Sequence, residues 1–173
     1  MISALVDRAN KRTVTLTPLN ADGLAAWRTT ATPAARAWLA GHAFTAAAGT
    51  HLTVPGGDGA PEEVLVGVEG NEPGLWDLAD LPTKLPAGRY RLAGAPSPAA
   101  ASAAALGWLL GGYRFDRYKT DKKARTKTHA ELVWPSGCDR ALVAAQAEGI
   151  GLARDLINTP AGDLGPRELA AAA

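Results

Sequence analysis

Residues 63–68 read EVLVGV. From Val64 to Val68 no polar side chain faces either side of an extended chain, the pattern of a strand covered on both faces. Such a strand belongs to a sheet packed between helices, so helical segments should flank it in sequence. Just upstream, residues 50–54 (THLTV) read as a second strand. The Gly56-Gly57-Asp58-Gly59 run between the two supplies the positive φ angles of a tight turn.

Further out, Val14 and Leu16 alternate with Thr13, Thr15 and Thr17, the period-two signature of a strand that Pro18 should end. Asp22 is placed to cap a short helix carrying Leu24 and Trp27. Thr32-Pro33 begins a better helix, with Ala37, Trp38 and Phe44 facing the core and Gly41 as terminator. Downstream of EVLVGV, Pro73 opens a short helical run containing Leu75, Trp76, Leu78, Ala79 and Leu81. Residues 89–92 alternate as another strand. Ser97-Pro98 starts the strongest helix, PAAASAAALGWLLGGYRF, in which Leu106, Leu109, Leu110 and Tyr113 recur at three- and four-residue spacing. A last strand spans residues 129–134. From Asp139, Leu142, Val143, Gln146, Ile150, Ala153 and Ile157 follow a 3.6-residue period up to a stop at Asn158-Thr159-Pro160.

Strands alternating with helices imply an α/β fold with a mixed, mainly parallel sheet flanked by helices. Pro135-Ser136-Gly137 is the natural boundary. It divides an N-terminal α/β domain (1–136) from a connector helix (137–158) and the start of a second domain (159–173).

The 173 residues carry a net charge of +1, so nothing global selects for nucleic acid, an anionic membrane or an acidic substrate. The single cysteine, Cys138, cannot form an internal bridge, which suits a reducing compartment. Asp7, Arg8, Lys11 and Arg12 stand where a signal peptide needs an apolar run. The longest apolar stretch, from Ala99 to Leu110, falls short of the roughly 20 residues of a membrane span. The expectation is a soluble, cytoplasmic protein.

Four features could carry chemistry. The three histidines, His42, His51 and His129, lie in separate elements, too dispersed for the three or four ligands that zinc or manganese requires. Cys138 precedes a helix start, a position that lowers a thiol pKa, yet no histidine can be assigned as its base. Gly67, Gly70 and Gly74 follow a buried strand and precede a helix, where backbone N–H groups can hold a phosphate. Their spacing is not the dinucleotide fingerprint, and Glu69 and Glu72 would repel an anion. Last, Arg114, Arg117, Lys119, Lys122, Lys123, Arg125 and Lys127 form a basic run interleaved with Tyr113, Phe115 and Tyr118. It could bind nucleic acid, but a solvated helix end and loop suit this nearly neutral chain better.

Two segments carry a family resemblance: GWLLGGYRFDRYK at residues 107–119 and AEGIGLARDLINTPAGDLGPRELAAAA at residues 147–173. Both resemble the bacterial leucyl aminopeptidase (cytosol aminopeptidase) family. There a YRFDRYK-like segment closes the N-terminal domain and a LARDLxNTPxxDxxPxxLA-like segment opens the catalytic one. Gly162 departs from the pattern, since members commonly carry Asn there.

The resemblance implies a macro-domain-like N-terminal module of a hexameric metallopeptidase with two divalent metals, zinc or manganese, acting on peptide substrates. The family's metal ligands and catalytic residues all follow the NTP segment, so no catalytic or metal-binding residue carries over and this chain alone should be inactive. Its partners would be its own catalytic domain and further copies of itself, with a role in assembly and in shaping access to the active site. Asn158, Thr159, Pro160 and Asp163 are expected to be structural residues of the junction, with Arg154 and Asp155 as polar positions on the connector. An alternative is an ADP-ribose or nucleotide-phosphate binding module of similar fold, using the loop at residues 67–74.

Overall fold

The computed structural model describes residues 4–120 and 129–172. Six strands form one sheet: β1 (Leu5–Val6), β2 (Val14–Leu19), β3 (His51–Pro55), β4 (Pro61–Gly67), β5 (Gly88–Leu92) and β6 (Ala130–Val133). The helices are α1 (Ala21–Thr30), α2 (Pro33–Gly41), α3 (Leu81–Lys84), α4 (Pro98–Gly111), α5 (Arg140–Asn158) and α6 (Pro166–Ala172). Strand order is β1-β6-β5-β2-β4-β3, and every pairing is parallel except the β3–β4 hairpin. The fold is therefore α/β with a mixed, mainly parallel sheet.

β4 lies inside on both faces, as its sequence requires. Val64 and Val66 enter one core cluster with Leu16, Trp108, Leu109, Leu132 and Val143. Leu65, pointing the other way, joins Leu19, Leu24, Leu39, Phe44 and Val54. The alternation of side chains along one strand thus assigns α1 and α2 to one face and α3, α4 and α5 to the other. The carboxylate of Glu63, at the start of the apolar run, accepts hydrogen bonds from the Thr17 hydroxyl and from Trp27 Nε1 (3.0 Å), tying β2 and α1 to β4.

Several expectations change. Pro18 does not end β2. The Leu16 carbonyl accepts from Ala93 on the β5 side and the Leu19 carbonyl accepts from Val68 on the β4 side. Pro18, two residues past Leu16, faces β5 beyond the last β5 pair, so its missing N–H forfeits no ladder bond. β1, too short to give a pattern, pairs with β6 at the sheet edge. Asn20 rather than Asp22 caps α1, accepting from Gly23 N at 2.9 Å. The run after Pro73 is a series of turns, and only Leu81–Lys84 is helical.

Ala37 and Trp38 face outward, while Leu39 and Ala35 turn inward. Trp38 has a different task. Its Nε1 donates to the Thr53 carbonyl of edge strand β3 at 2.9 Å, so an indole covers part of an edge that would otherwise offer unpaired backbone.

α4 is buried almost all round, from Ala100 and Ala101 through Ala104–Leu110. The chain at residues 75–79 crosses it in backbone contact. A Cβ on Gly107 would lie 1.8 Å from the Leu75 carbonyl oxygen, and one on Gly111 1.6 Å from that of Ala79. Neither obstruction is a flexible side chain, so the helix or the crossing segment would have to move. Gly149, on the exposed side of α5, has nothing within 4 Å.

α5 packs on α4 through Val143, Ala147 and Gly151, a stripe of small residues four apart. Of the residues in the 3.6-residue pattern, Val143 is buried, whereas Leu142, Gln146, Ile150, Ala153 and Ile157 face solvent, and Ile157 is 82% exposed. The crossing with α4 favours small side chains and leaves the large ones outside.

Replacement of Gly107 or Gly111 by alanine is expected to cost roughly 3 kcal/mol or more in urea unfolding, the scale of overpacked cores. Gly149→Ala should be neutral or stabilising by up to ~1 kcal/mol. Equal effects at the three positions would contradict the backbone crossing.

Candidate functional site: the junction of residues 113–119 with the end of α5

The chain leaves α4 at Gly112 and passes at once beside the C-terminal half of α5. The Tyr113 hydroxyl donates to Asp155 Oδ1 at 2.6 Å, and Asn158 Nδ2 reaches the same hydroxyl at 3.4 Å. The guanidinium of Arg154 lies 5.3 Å from the centre of the Tyr113 ring and donates to the Leu110 carbonyl at 2.7 Å. That carbonyl sits in the last turn of α4, where a cation is favoured. Tyr118 repeats the arrangement, with its hydroxyl donating to Asp163 Oδ2 at 2.6 Å and Arg117 at 5.7 Å from the ring. Phe115 packs beside Tyr118, with ring centroids 5.8 Å apart.

The expected junction residues are all near this contact. Thr159 is the C-cap of α5, and its hydroxyl donates to the Asp155 carbonyl at 2.7 Å. The Pro160 carbonyl accepts from Asp163 N at 2.9 Å, closing a turn. Gly162 has open space around its α-carbon, so the family's usual Asn would fit there. In the basic run, Arg117 is engaged with Tyr118, and Lys119 pairs with Asp116 at 2.6 Å. Lys122, Lys123, Arg125 and Lys127 lie outside the described residues.

The other chemical candidates do not converge. His42 stacks on Trp38, with ring centroids 4.3 Å apart. His51 sits half-buried on β3, its pKa lowered first by burial and then by Lys84, with Asp80 opposing. His129 precedes β6. Among the described residues no three His, Cys, Asp or Glu side chains are grouped to hold a metal ion. Cys138 does not gain the low pKa of a helix-terminal thiolate. Burial raises it, outweighing a hydrogen bond with Ser102 and the charge of Arg140, and it packs against the core instead.

The glycine loop is committed to the fold. A Cβ on Gly67 would lie 2.0 Å from the Ala47 carbonyl oxygen, so this glycine admits a neighbouring backbone rather than a phosphate. Gly67 N donates to Thr50, Val68 N to Leu19 and Gly74 N to Asp77 Oδ2. The sheet's topological switch point lies between β2 and β5, the usual place for a ligand in such folds. Beside it the Glu72 carboxylate takes the Ser97 N–H at 2.6 Å and the Ser97 hydroxyl at 2.7 Å. A negative charge of the chain's own thus occupies the start of α4, and these bonds lower the Glu72 pKa.

Residues 14–135 match the family model described as M17 aminopeptidase, N-terminal domain. The chain belongs to the M17 aminopeptidase N-terminal domain family. A probable cytosol aminopeptidase of Caulobacter vibrioides is 36% identical, over 78% of this chain and 31% of that protein. One of Rhizobium johnstonii is 43% identical over 44% of this chain and 17% of its own length. Among solved structures, the cytosol aminopeptidase of Coxiella burnetii superposes with a TM-score of 0.85 at 32% identity, covering 98% of this chain and 36% of that one. The bottromycin maturation enzyme BotP in complex with Mn gives 0.66 at 26% identity, covering 92% and 35%. The matched stretch therefore spans about a third or less of the length of these relatives.

All three tyrosines have raised pKa values. For Tyr113 burial comes first and the Asp155 bond second; for Tyr118 the Asp163 bond leads; for Tyr90 the cause is burial. A phenol held protonated in this way stabilises the fold below its ordinary pKa of about 10, and that contribution is lost as pH rises through the raised value. Absorbance titration at 295 nm should show the native midpoint above 10 and a return to about 10 in concentrated urea. A native midpoint at or below 10 would contradict the phenol–carboxylate contacts.

Proposed function

We propose that this chain is the non-catalytic front module of a cytosolic two-metal aminopeptidase, serving assembly and access to an active site that other residues of the enzyme build. The observation that carries the reading is the outer side of α5 and α6. Leu142, Ile150, Leu152, Ile157 and Leu169 are all exposed there, and the chain spans about a third of the length of its relatives. A row of large apolar side chains on a helix already packed by its small face suits a covering domain. In the intact enzyme the metals would supply a Lewis acid and an activated water for attack on the first peptide bond. Among the described residues, the Asp, Glu and His side chains form no site for them. Family resemblance further supports a hexamer, peptide substrates, and zinc or manganese as the metal.

The nucleotide-phosphate alternative loses support because the amides of Gly67, Val68 and Gly74 donate within the chain and the Glu72 carboxylate sits at the start of α4. Titration calorimetry with ADP-ribose should show no binding at micromolar concentrations. Heat saturating in that range would restore the alternative.

The purified chain with added Mn²⁺ or Zn²⁺ should not hydrolyse leucine p-nitroanilide; metal-dependent turnover above blank would overturn the passive role. Leu152→Glu and Ile157→Glu should each shift stability by no more than about 0.5 kcal/mol, because neither side chain belongs to this chain's own core. A loss of about 2 kcal/mol, the scale of a disrupted core, would show that the face is used internally and is not a docking surface.

A further inference from the structure

We propose that Tyr113 and Tyr118 form a two-point latch that sets the direction in which the chain leaves the α/β domain. Both belong to the short segment after α4, yet their hydroxyls reach two successive points of the chain, one in the last turn of α5 and one inside the break between α5 and α6. Tyr113 holds Asp155 and Asn158 in the last turn of α5. Tyr118 holds Asp163, three residues past Pro160. Each ring also has a guanidinium nearby, Arg154 for Tyr113 and Arg117 for Tyr118. These are two copies of one device: a phenol fixed at its hydroxyl by a carboxylate and at its ring by an arginine.

Among the described contacts, little else restrains the break itself. Residues 160–165 are stitched by short-range bonds, Asp163 N to Pro160 O and Gly165 N to Glu168 Oε2. α6 has no buried residue, so packing does not fix its direction. The Tyr118–Asp163 bond spans 45 positions in sequence and ties this stretch to the α4 side of the domain. Arg154, by reaching the Leu110 carbonyl, fixes the last turn of α5 to the end of α4. The latch thus ties the end of the buried helix α4 to the segment that leads into α6.

Every contact of the latch lies within these residues, so it holds or fails independently of any peptidase role. Hydrogen exchange by mass spectrometry on the 173-residue chain tests it. Tyr118→Phe should speed exchange in peptides covering 160–165 by on the order of threefold to tenfold, the scale of one typical net hydrogen bond. Exchange in β4 and α4 should stay unchanged. Tyr113→Phe should speed exchange at 155–159 as well. Asp163→Asn keeps an acceptor oxygen and should retain most of the protection. Should Tyr113→Phe fail to fold, Asp155→Asn probes the same bond. Unchanged exchange at 160–165 in Tyr118→Phe would overturn the latch. So would a uniform rise across the chain, which would mark a merely general loss of stability.

Discussion

The backbone of residues 75–79 lies directly on α4, and much else follows from that contact. It requires glycine at 107 and 111, because the Leu75 and Ala79 carbonyl oxygens occupy the places a Cβ would take. With the sheet on one side, the crossing segment on another and α5 on a third, α4 has almost no exposed surface and is built from alanine, leucine and tryptophan. α5 then meets a helix already close to its neighbours, and the pairing is made by Val143, Ala147 and Gly151. The larger residues of α5 are displaced outward. An exposed apolar face on α5 is thus a consequence of how tightly α4 is held, as well as a surface that another domain could cover.

The same economy explains why a fold with a ligand-ready sheet shows no ligand-ready loop. Parallel sheets of this order open a crevice at the ends of β2 and β5, and a helix beginning there offers amide donors to anions. Here Glu72 takes the Ser97 donors, Asp77 takes Gly74 N, and Gly67 is spent on admitting Ala47. Fold and function separate at this point: the architecture allows a phosphate site, while Glu72 sets a carboxylate where an anion would sit.

How far the sequence could be read depended on the range of each interaction. β4 was legible because burial on both faces leaves an unbroken apolar run, and α4 because Ser97, Pro98 and the alanines act locally. The caps of α1 and α2 differ for the same reason: Thr32 was plain beside Pro33, whereas Asn20 and Asp22 both satisfy local rules and only geometry chooses Asn20. Periodicity found α5 but grouped the buried Val143 with residues that face solvent, since it weighs hydrophobicity and cannot see that α4 admits only small partners. Trp38 misled in the same way, a large apolar residue whose indole N–H was needed at a sheet edge. Pairings such as Tyr113 with Asp155 and Tyr118 with Asp163, 42 and 45 positions apart, leave no periodic trace.

Those pairings nonetheless join the two stretches that carry the family resemblance. YRFDRYK supplies both tyrosines, Arg117 and Phe115, while LARDLINTPAGD supplies Arg154, Asp155, Asn158 and Asp163. The contacts that join the two stretches are those of mutual recognition. Tyrosine is needed for its hydroxyl, the aspartates for their carboxylates, and Arg154 for a reach that spans from α5 to the α4 terminus. A position defined by two such contacts, one at the end of α5 and one within the break that follows, constrains a direction where a single contact would leave a pivot. The sequence motifs of this chain are then best understood as one interface written in two places.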